Sequence, residues 1–195
     1  MRRKKGWMKL KVKKIRQETP DTETFFFVNE EEDERAFDYI AGQYLTFRFD
    51  DIGDKPLVRS YTMSSSPKKH DEALVSVKRV YKGVVSNWMC DEIKEGTILR
   101  ARGPIGKFCY LDGDNEHLVM TAGGSGVTPF VSIMLEHLET LGQEGSPKKM
   151  TLIVSYKSKN DLILWEDLKT INAVEGARVV TSLTREDATS EGFLQ

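Results

Sequence analysis

Apolar and polar residues alternate through most of the first ~110 residues, at the two-residue period of a half-buried strand. Leu10 and Val12, with Ile15 out of step, predict an opening strand whose other face is lysine. Thr24 to Val28 is β-branched and aromatic. Leu45, Phe47 and Phe49 alternate with Thr46, Arg48 and Asp50, and Val75 and Val77 alternate with Ser76 and Lys78. Leu99 to Arg102 gives a further short strand. Turn-rich stretches such as Asp50-Asp51-Ile52-Gly53-Asp54 separate these runs, so the pattern predicts an antiparallel barrel or sandwich. One helix interrupts it, with Ser86 as the expected N-cap before Asn87-Trp88-Met89-Cys90-Asp91-Glu92-Ile93.

The rhythm changes from about residue 116. His117 to Ala122 is a continuous apolar strand ending in glycines, and Thr128 to Leu141 carries Phe130, Ile133, Met134, Leu138 and Leu141 at helical spacing. Met150 to Tyr156 predicts a second buried strand, Asp161 to Ile171 a second helix, and Ala177 to Leu183 a third strand. Strand–helix–strand–helix–strand implies a parallel sheet with right-handed crossovers. The change of rhythm sets a boundary in Asp112-Gly113-Asp114-Asn115, with a β domain over 1–112 and an α/β domain over 113–195. Three strands make a short parallel sheet with an open edge, so the α/β domain is expected to be partial, truncated at its C-terminal side.

Composition adds exclusions. A chain of 195 residues, 39% hydrophobic and 30% charged, has the material for a packed core. A net charge of −1 supplies no global field for nucleic-acid phosphates. The charges are uneven: residues 2–16 hold nine Lys/Arg and no acid, whereas Glu30 to Glu34 is an unbroken acidic run. That run reads as a solvated loop, with an acidic docking patch for an electron-transfer partner as the alternative. No apolar stretch reaches the ~18 residues of a membrane span. Lys9, Lys11, Lys13 and Lys14 occupy the place of an export signal's apolar region, so a cytoplasmic protein is expected. Cys90 and Cys109 read as buried thiols. Two cysteines cannot supply the four ligands of an iron–sulfur cluster, and His70, His117 and His137 lack metal-ligand spacing, so no metal is expected.

The candidate chemistry lies in three runs. Arg59-Ser60-Tyr61-Thr62 sets a guanidinium for bidentate phosphate binding and an aromatic ring for stacking on one apparent strand. Its Thr62 hydroxyl can hydrogen-bond toward the hydride-accepting nitrogen of a flavin. The plainer reading is a polar strand entering the Ser64-Ser65-Ser66-Pro67 turn. In Gly83-Val84-Val85-Ser86, Gly83 permits close backbone approach, while Ser86 and the free N–H groups of the following helix offer an anion site. Gly123-Gly124-Ser125-Gly126-Val127-Thr128-Pro129 joins an apolar strand to a helix, the setting that receives a pyrophosphate. It matches neither the GxGxxG fingerprint nor a Walker A loop, and no Gly-x-Ser-x-Gly nucleophile is present. Gly103-Pro104-Ile105-Gly106-Lys107-Phe108 reads as turn chemistry with a structural role.

In this order the motifs resemble the ferredoxin–NADP reductase superfamily, closest to reductase components of bacterial oxygenases and related iron–sulfur flavoproteins. Arg59 to Thr62 is similar to its Arg-x-Tyr-Ser/Thr flavin motif, Gly83 to Ser86 to its Gly-x-x-Ser pyrophosphate motif, and Gly123 to Pro129 to its NAD(P)-binding turn. Gly103 to Phe108 resembles the segment closing its barrel, and Ala41-Gly42-Gln43-Tyr44 its Pro-Gly-Gln-Tyr strand entry, with Ala in place of Pro. The resemblance implies a six-stranded antiparallel Greek-key flavin barrel followed by a parallel α/β nucleotide-binding domain. It implies FAD rather than FMN, with NADPH or NADH as donor and an iron–sulfur or haem acceptor on a ferredoxin-like protein or oxygenase component. Arg59 would meet the flavin phosphates, Tyr61 its ring, Thr62 the region of N5, and Val77, Lys78 and Arg79 the flavin from the neighbouring strand, with Ser60 also among the cofactor-binding residues. Gly83, Val84, Val85 and Ser86 would hold the pyrophosphate, and Thr128 would lie near flavin and nicotinamide, making Thr62 and Thr128 the catalytic candidates. Thr184 and Arg185 would meet the ribose and a 2′-phosphate, opposed by Glu186 and Asp187. Family members carry two more strands and a Cys-Gly element beside the nicotinamide, which these 195 residues do not contain. The alternative is therefore a flavin-binding electron-relay or redox-sensing subunit that does not itself bind nicotinamide.

Overall fold

The computed structural model describes residues 6–30, 38–68, 72–111 and 116–185. The expected domain boundary, most of the acidic run, His70, Glu186 and Asp187 lie outside the described residues. Strands β1 (Met8–Thr19), β2 (Thr22–Asn29), β3 (Tyr44–Phe49), β4 (Leu57–Thr62), β5 (Ala73–Lys78) and β6 (Ile98–Ile105) form one antiparallel sheet in the order β4-β3-β6-β1-β2-β5. A Met63–Val75 bridge and a bond from the Ser64 N–H to the Leu74 carbonyl (2.8 Å) join the outer strands and close it into a barrel. Closure removes the free edges that an open sheet would present.

The alternation in the sequence is the inside–outside alternation of this barrel. Leu10, Val12, Phe25, Phe27, Leu45, Phe47, Val75 and Val77 are fully buried. Ile15 breaks step because the pairing of β1 with β2 shifts register between Val12 and Lys14, where an extra residue turns the following side chains. Helix α1 (Val84–Glu92) plugs the barrel with Val85 and Met89 and sets the Trp88 ring edge-on to Phe49. Here the reading of Ser86 as N-cap is corrected: α1 starts earlier, with Gly83 as N-cap, because the apolar Val85 is needed inside the barrel. Strand β6 runs to Ile105, which pairs with Tyr44, so the first half of the Gly103–Phe108 run is strand rather than turn.

The second unit follows the predicted order: β7 (His117–Gly123), α2 (Thr128–His137), β8 (Lys149–Tyr156), α3 (Trp165–Asn172) and β9 (Ala177–Leu183). The sheet is parallel, in the order β7-β8-β9. Helix α2 ends at His137 and continues only as a tight turn over Leu138–Thr140, short of the expected Leu141. The expected start of the second helix at Asp161 is a separate turn, Lys159–Asp161, and α3 begins at Trp165. Met150, Leu152, Val154 and Tyr156 pack with α2 and α3 residues such as Met134 and Leu168, whereas Val119 is 55% and Ile153 42% exposed. The expectation of a second buried strand therefore holds for one face only.

Candidate functional site

A cleft of about 660 Å³ opens where β4, β5 and the start of α1 meet the first turn of the second unit. Arg59, Ser60, Tyr61 and Thr62 line it from β4, and Ser76, Lys78, Arg79 and Val80 line it from β5 and the loop beyond. Gly83, Val84, Val85 and Ser86 come from the N-terminus of α1, and Ser125 and Thr128 from the turn that opens α2. The volume lies within the usual range for a ligand or cofactor site.

Three cations were expected at this site, and the structure separates them. Lys78 bridges Asp21 (3.0 Å) and Asp161 (3.2 Å), and Arg79 pairs with Asp91 at 2.7 Å. Arg59 is exposed, has no carboxylate partner among the described residues, and donates only to the neighbouring Val58 carbonyl at 2.7 Å. Its guanidinium retains the charge and the donors that a phosphate takes. Tyr61 packs its ring on Phe47, and burial pushes its hydroxyl up to about 12, so it remains a neutral donor through the physiological range. Thr62 has no hydrogen-bonding partner for its hydroxyl among the described residues, while Ser60 is tied to Thr46 at 2.9 Å.

The α1 N-terminus has no side-chain cap and no acid in its first turn, so its leading amides are available to an anion. Gly83 is required by close approach: a Cβ there would sit 2.6 Å from Ser86 Oγ and 3.0 Å from the Val80 carbonyl oxygen. Ser86 Oγ accepts the Val80 N–H at 3.2 Å and so holds the loop before the helix. Ser86→Ala is expected to lower stability by about 1 kcal/mol, read as a melting temperature reduced by roughly 2–4 °C. An unchanged melt would show that this bond holds nothing.

In the second unit, Gly123 ends β7, Gly124 to Val127 form a tight turn, and Thr128 and Pro129 begin α2. Thr128 is buried and donates to the Ser125 carbonyl at 3.2 Å. Val77 and Val127 are fully buried in the two cores, so any contact they make with a ligand is confined to the main chain. Thr184 and Arg185 lie beyond β9, their amides bonded to the Tyr156 (3.0 Å) and Lys157 (2.9 Å) carbonyls. They and Gly123, Gly124, Gly126 and Pro129 do not line the cleft; they occupy the carboxyl edge of the parallel sheet, where open α/β sheets bind nucleotides. Ser76 and Val80 line the cleft and escaped the sequence reading. Period two signals Ser76, which shares a face of β5 with Lys78.

No metal-competent group of His, Cys, Asp and Glu occurs among the described residues, and no described helix is long and apolar enough to cross a membrane. Cys90 and Cys109 are free thiols, half-buried rather than buried. Burial pushes the Cys90 thiol up to about 11.

The family model for the oxidoreductase FAD-binding domain matches residues 9–110, which include every barrel residue of the cleft. The chain belongs to the ferredoxin–NADP reductase superfamily. The family's oxidoreductase NAD-binding domain matches residues 120–195, so both cofactor classes of the superfamily, FAD and a nicotinamide nucleotide, are represented. The glycine betaine monooxygenase reductase subunit of Pseudomonas aeruginosa is 34% identical over 156 residues, 80% of this chain and 41% of its own length. The ferredoxin reductase component of 3-ketosteroid-9-alpha-monooxygenase from Rhodococcus rhodochrous is 34% identical over 162 residues, 83% of this chain and 44% of its own. This superfamily member thus spans less than half the length of those curated relatives. Its fold matches that of the flavohem-like FAD/NAD-binding domain of nitric oxide dioxygenase from Vibrio cholerae. That comparison has a TM-score of 0.82 and 21% identity, and covers 93% of this chain and 76% of that one.

Proposed function

We propose that the chain is the reductase portion of an electron-transfer flavoprotein. It would hold FAD in the cleft, accept a hydride from NADPH or NADH, and pass electrons to an iron–sulfur or haem acceptor. Bound FAD would supply the exchange between a two-electron donor and one-electron acceptors. The observation that carries this reading is the meeting in one cleft of an uncapped helix terminus, a packed tyrosine, and an arginine and a threonine hydroxyl that have, among the described residues, no carboxylate partner and no hydrogen-bonding partner respectively. These are the groups that a phosphate, a flat ring and a polar ring edge need.

Each residue then has a binding or orienting task. Arg59 and the leading amides of α1 neutralise phosphates, and Ser86 keeps those amides in place through Val80. Tyr61 offers its ring and a protonated hydroxyl, Ser60 and Ser76 offer short polar contacts, and Thr62 offers an uncommitted hydroxyl for a ring nitrogen. Lys78 and Arg79 act mainly through their acidic partners, as braces of the cleft wall. Thr128 and the Gly123–Pro129 turn stand where a nicotinamide nucleotide would meet the flavin, with Thr184 and Arg185 at its ribose end. The two units are taken as residues 1–112 and 113–195, a division supported by family matches at 9–110 and 120–195. By likeness to reductase subunits of monooxygenases, the acceptor is a ferredoxin-like domain or an oxygenase component. Free thiols fit a reducing, cytoplasmic setting.

Anaerobic mixing of the FAD-loaded protein with NADPH or NADH tests the reading. Rapid loss of flavin colour is expected; FAD uptake without bleaching by either nucleotide would leave an electron-relay or redox-sensing subunit instead. Arg185 is exposed and no carboxylate pairs with it among the described residues, which suits a 2′-phosphate. A modest preference for NADPH is expected, lost in Arg185→Ala. Identical cofactor ratios in the two proteins would remove Arg185 from the site.

A further inference from the structure

We propose that Glu18, on the barrel strand β1, is a positioning residue that fixes the nucleotide-receiving edge of the parallel sheet against the flavin cleft. The proposal rests on the reading of the cleft given above. Glu18 is 7% exposed at its side chain and lies outside the cleft. One carboxylate oxygen accepts Arg16 Nε at 2.6 Å and Thr24 Oγ1 at 2.8 Å. The other reaches 146 residues along the chain to accept the backbone N–H of Leu164 at 3.1 Å.

Leu164 is the N-cap of α3 and holds a left-handed backbone (φ 58°), a conformation that a branched side chain keeps only when its surroundings fix it. Its neighbour Ile163 is held from the other side, where Tyr156 Oη donates to the Ile163 carbonyl at 2.9 Å. Tyr156 in turn accepts, at its own carbonyl, the amide of Thr184 at 3.0 Å, and the Lys157 carbonyl accepts the amide of Arg185 at 2.9 Å. These hydrogen bonds, joined through the Tyr156 side chain and the Tyr156–Lys157 backbone, link a barrel carboxylate to the two residues proposed for the ribose. A second tie runs parallel to them: Arg16 donates to Asp167 in the first turn of α3 at 2.7 Å.

The links at Glu18, Leu164 and Ile163 are wholly or partly buried and directional, so the geometry at the start of α3 is stiff. Hydride transfer depends on donor–acceptor placement, and a misplacement of about 1 Å costs roughly a hundredfold in rate. Glu18 also reaches the cleft through Thr24, whose hydroxyl bonds that of the cleft residue Ser76 at 2.8 Å, whereas Arg16 and Asp167 lie outside the cleft. The signature of a positioning role is therefore a slower reduction step in a variant of Asp167 whose flavin affinity is unchanged.

Glu18→Ala and the milder Asp167→Asn, made in the full chain, are compared with wild type by two measurements. In hydrogen exchange, amides of residues 162–168 are expected to exchange about tenfold faster in Glu18→Ala, with the β3 and β4 amides unaffected. In anaerobic flavin reduction at saturating NADPH, the rate is expected to fall about tenfold or more in Glu18→Ala and several-fold in Asp167→Asn. Glu18→Gln keeps an acceptor for Leu164 and should restore most of the rate. Should Glu18→Ala fail to fold, Asp167→Asn, partly exposed, carries the test. Unchanged exchange, or wild-type reduction rates in both variants, would overturn the proposal. A wild type that takes FAD but is not bleached would refute hydride transfer instead, and Glu18 then stands or falls on exchange alone.

Discussion

Arg59→Ala should weaken FAD binding by roughly ten- to a hundredfold, the range of one charge-assisted hydrogen bond at about 1.4 kcal/mol per factor of ten. The size of the effect follows from how the cleft distributes its charge. Lys78 and Arg79 already have carboxylates at 3.2 Å or less, so much of their field is spent before a ligand arrives. Among the described residues Arg59 has only a backbone carbonyl as partner, and an incoming phosphate meets no competing ion pair there. Lys78→Ala is therefore expected to have the smaller effect on affinity while loosening the contact with Asp161. Titration followed by flavin fluorescence measures both. Equal losses in the two variants would mean that phosphate binding is shared evenly across the cations.

Gly42→Ala should be the most damaging single methyl group in the barrel. Gly42 has φ +93°, and a Cβ there would lie 1.9 Å from the Phe108 carbonyl oxygen, which belongs to the backbone and cannot rotate away. The neighbouring Gln43 locks the same corner: its side chain accepts the Ile40 N–H at 2.9 Å and donates to the Gly106 carbonyl at 3.3 Å. Left-handed strain and a backbone collision together are expected to cost on the order of 3 kcal/mol. For a chain of this size that lowers the melting temperature by roughly 6–12 °C. A change below about 2 °C would show that the corner rearranges freely.

The barrel was legible because its strands alternate at period two and each inward position is occupied by a residue such as Leu45 or Phe47 with nowhere else to go. The parallel sheet was legible in order but not in burial: apolar sequence on β7 and β8 does not tell which face a helix will cover, and Val119 and Ile153 are exposed. Ser86 misled because a serine before an amphipathic run fits an N-cap, whereas the inward pull of Val85 starts the helix before it. The site motifs were local and therefore readable, and Arg59 to Thr62 and Gly83 to Ser86 do meet in one cleft. What the sequence hid were partnerships over long separations. Nothing near Lys78 announces Asp161, and nothing near Glu18 announces Leu164.

The most direct test of the flavin assignment is a titration of the purified, flavin-free chain with FAD and, separately, with FMN, following absorbance and quenching of flavin fluorescence. One FAD per chain, bound more tightly than FMN and released on Arg59→Ala, is the expected result. A protein that takes up neither flavin, or that binds FAD with Arg59→Ala affinity equal to wild type, would contradict the placement of the flavin in this cleft.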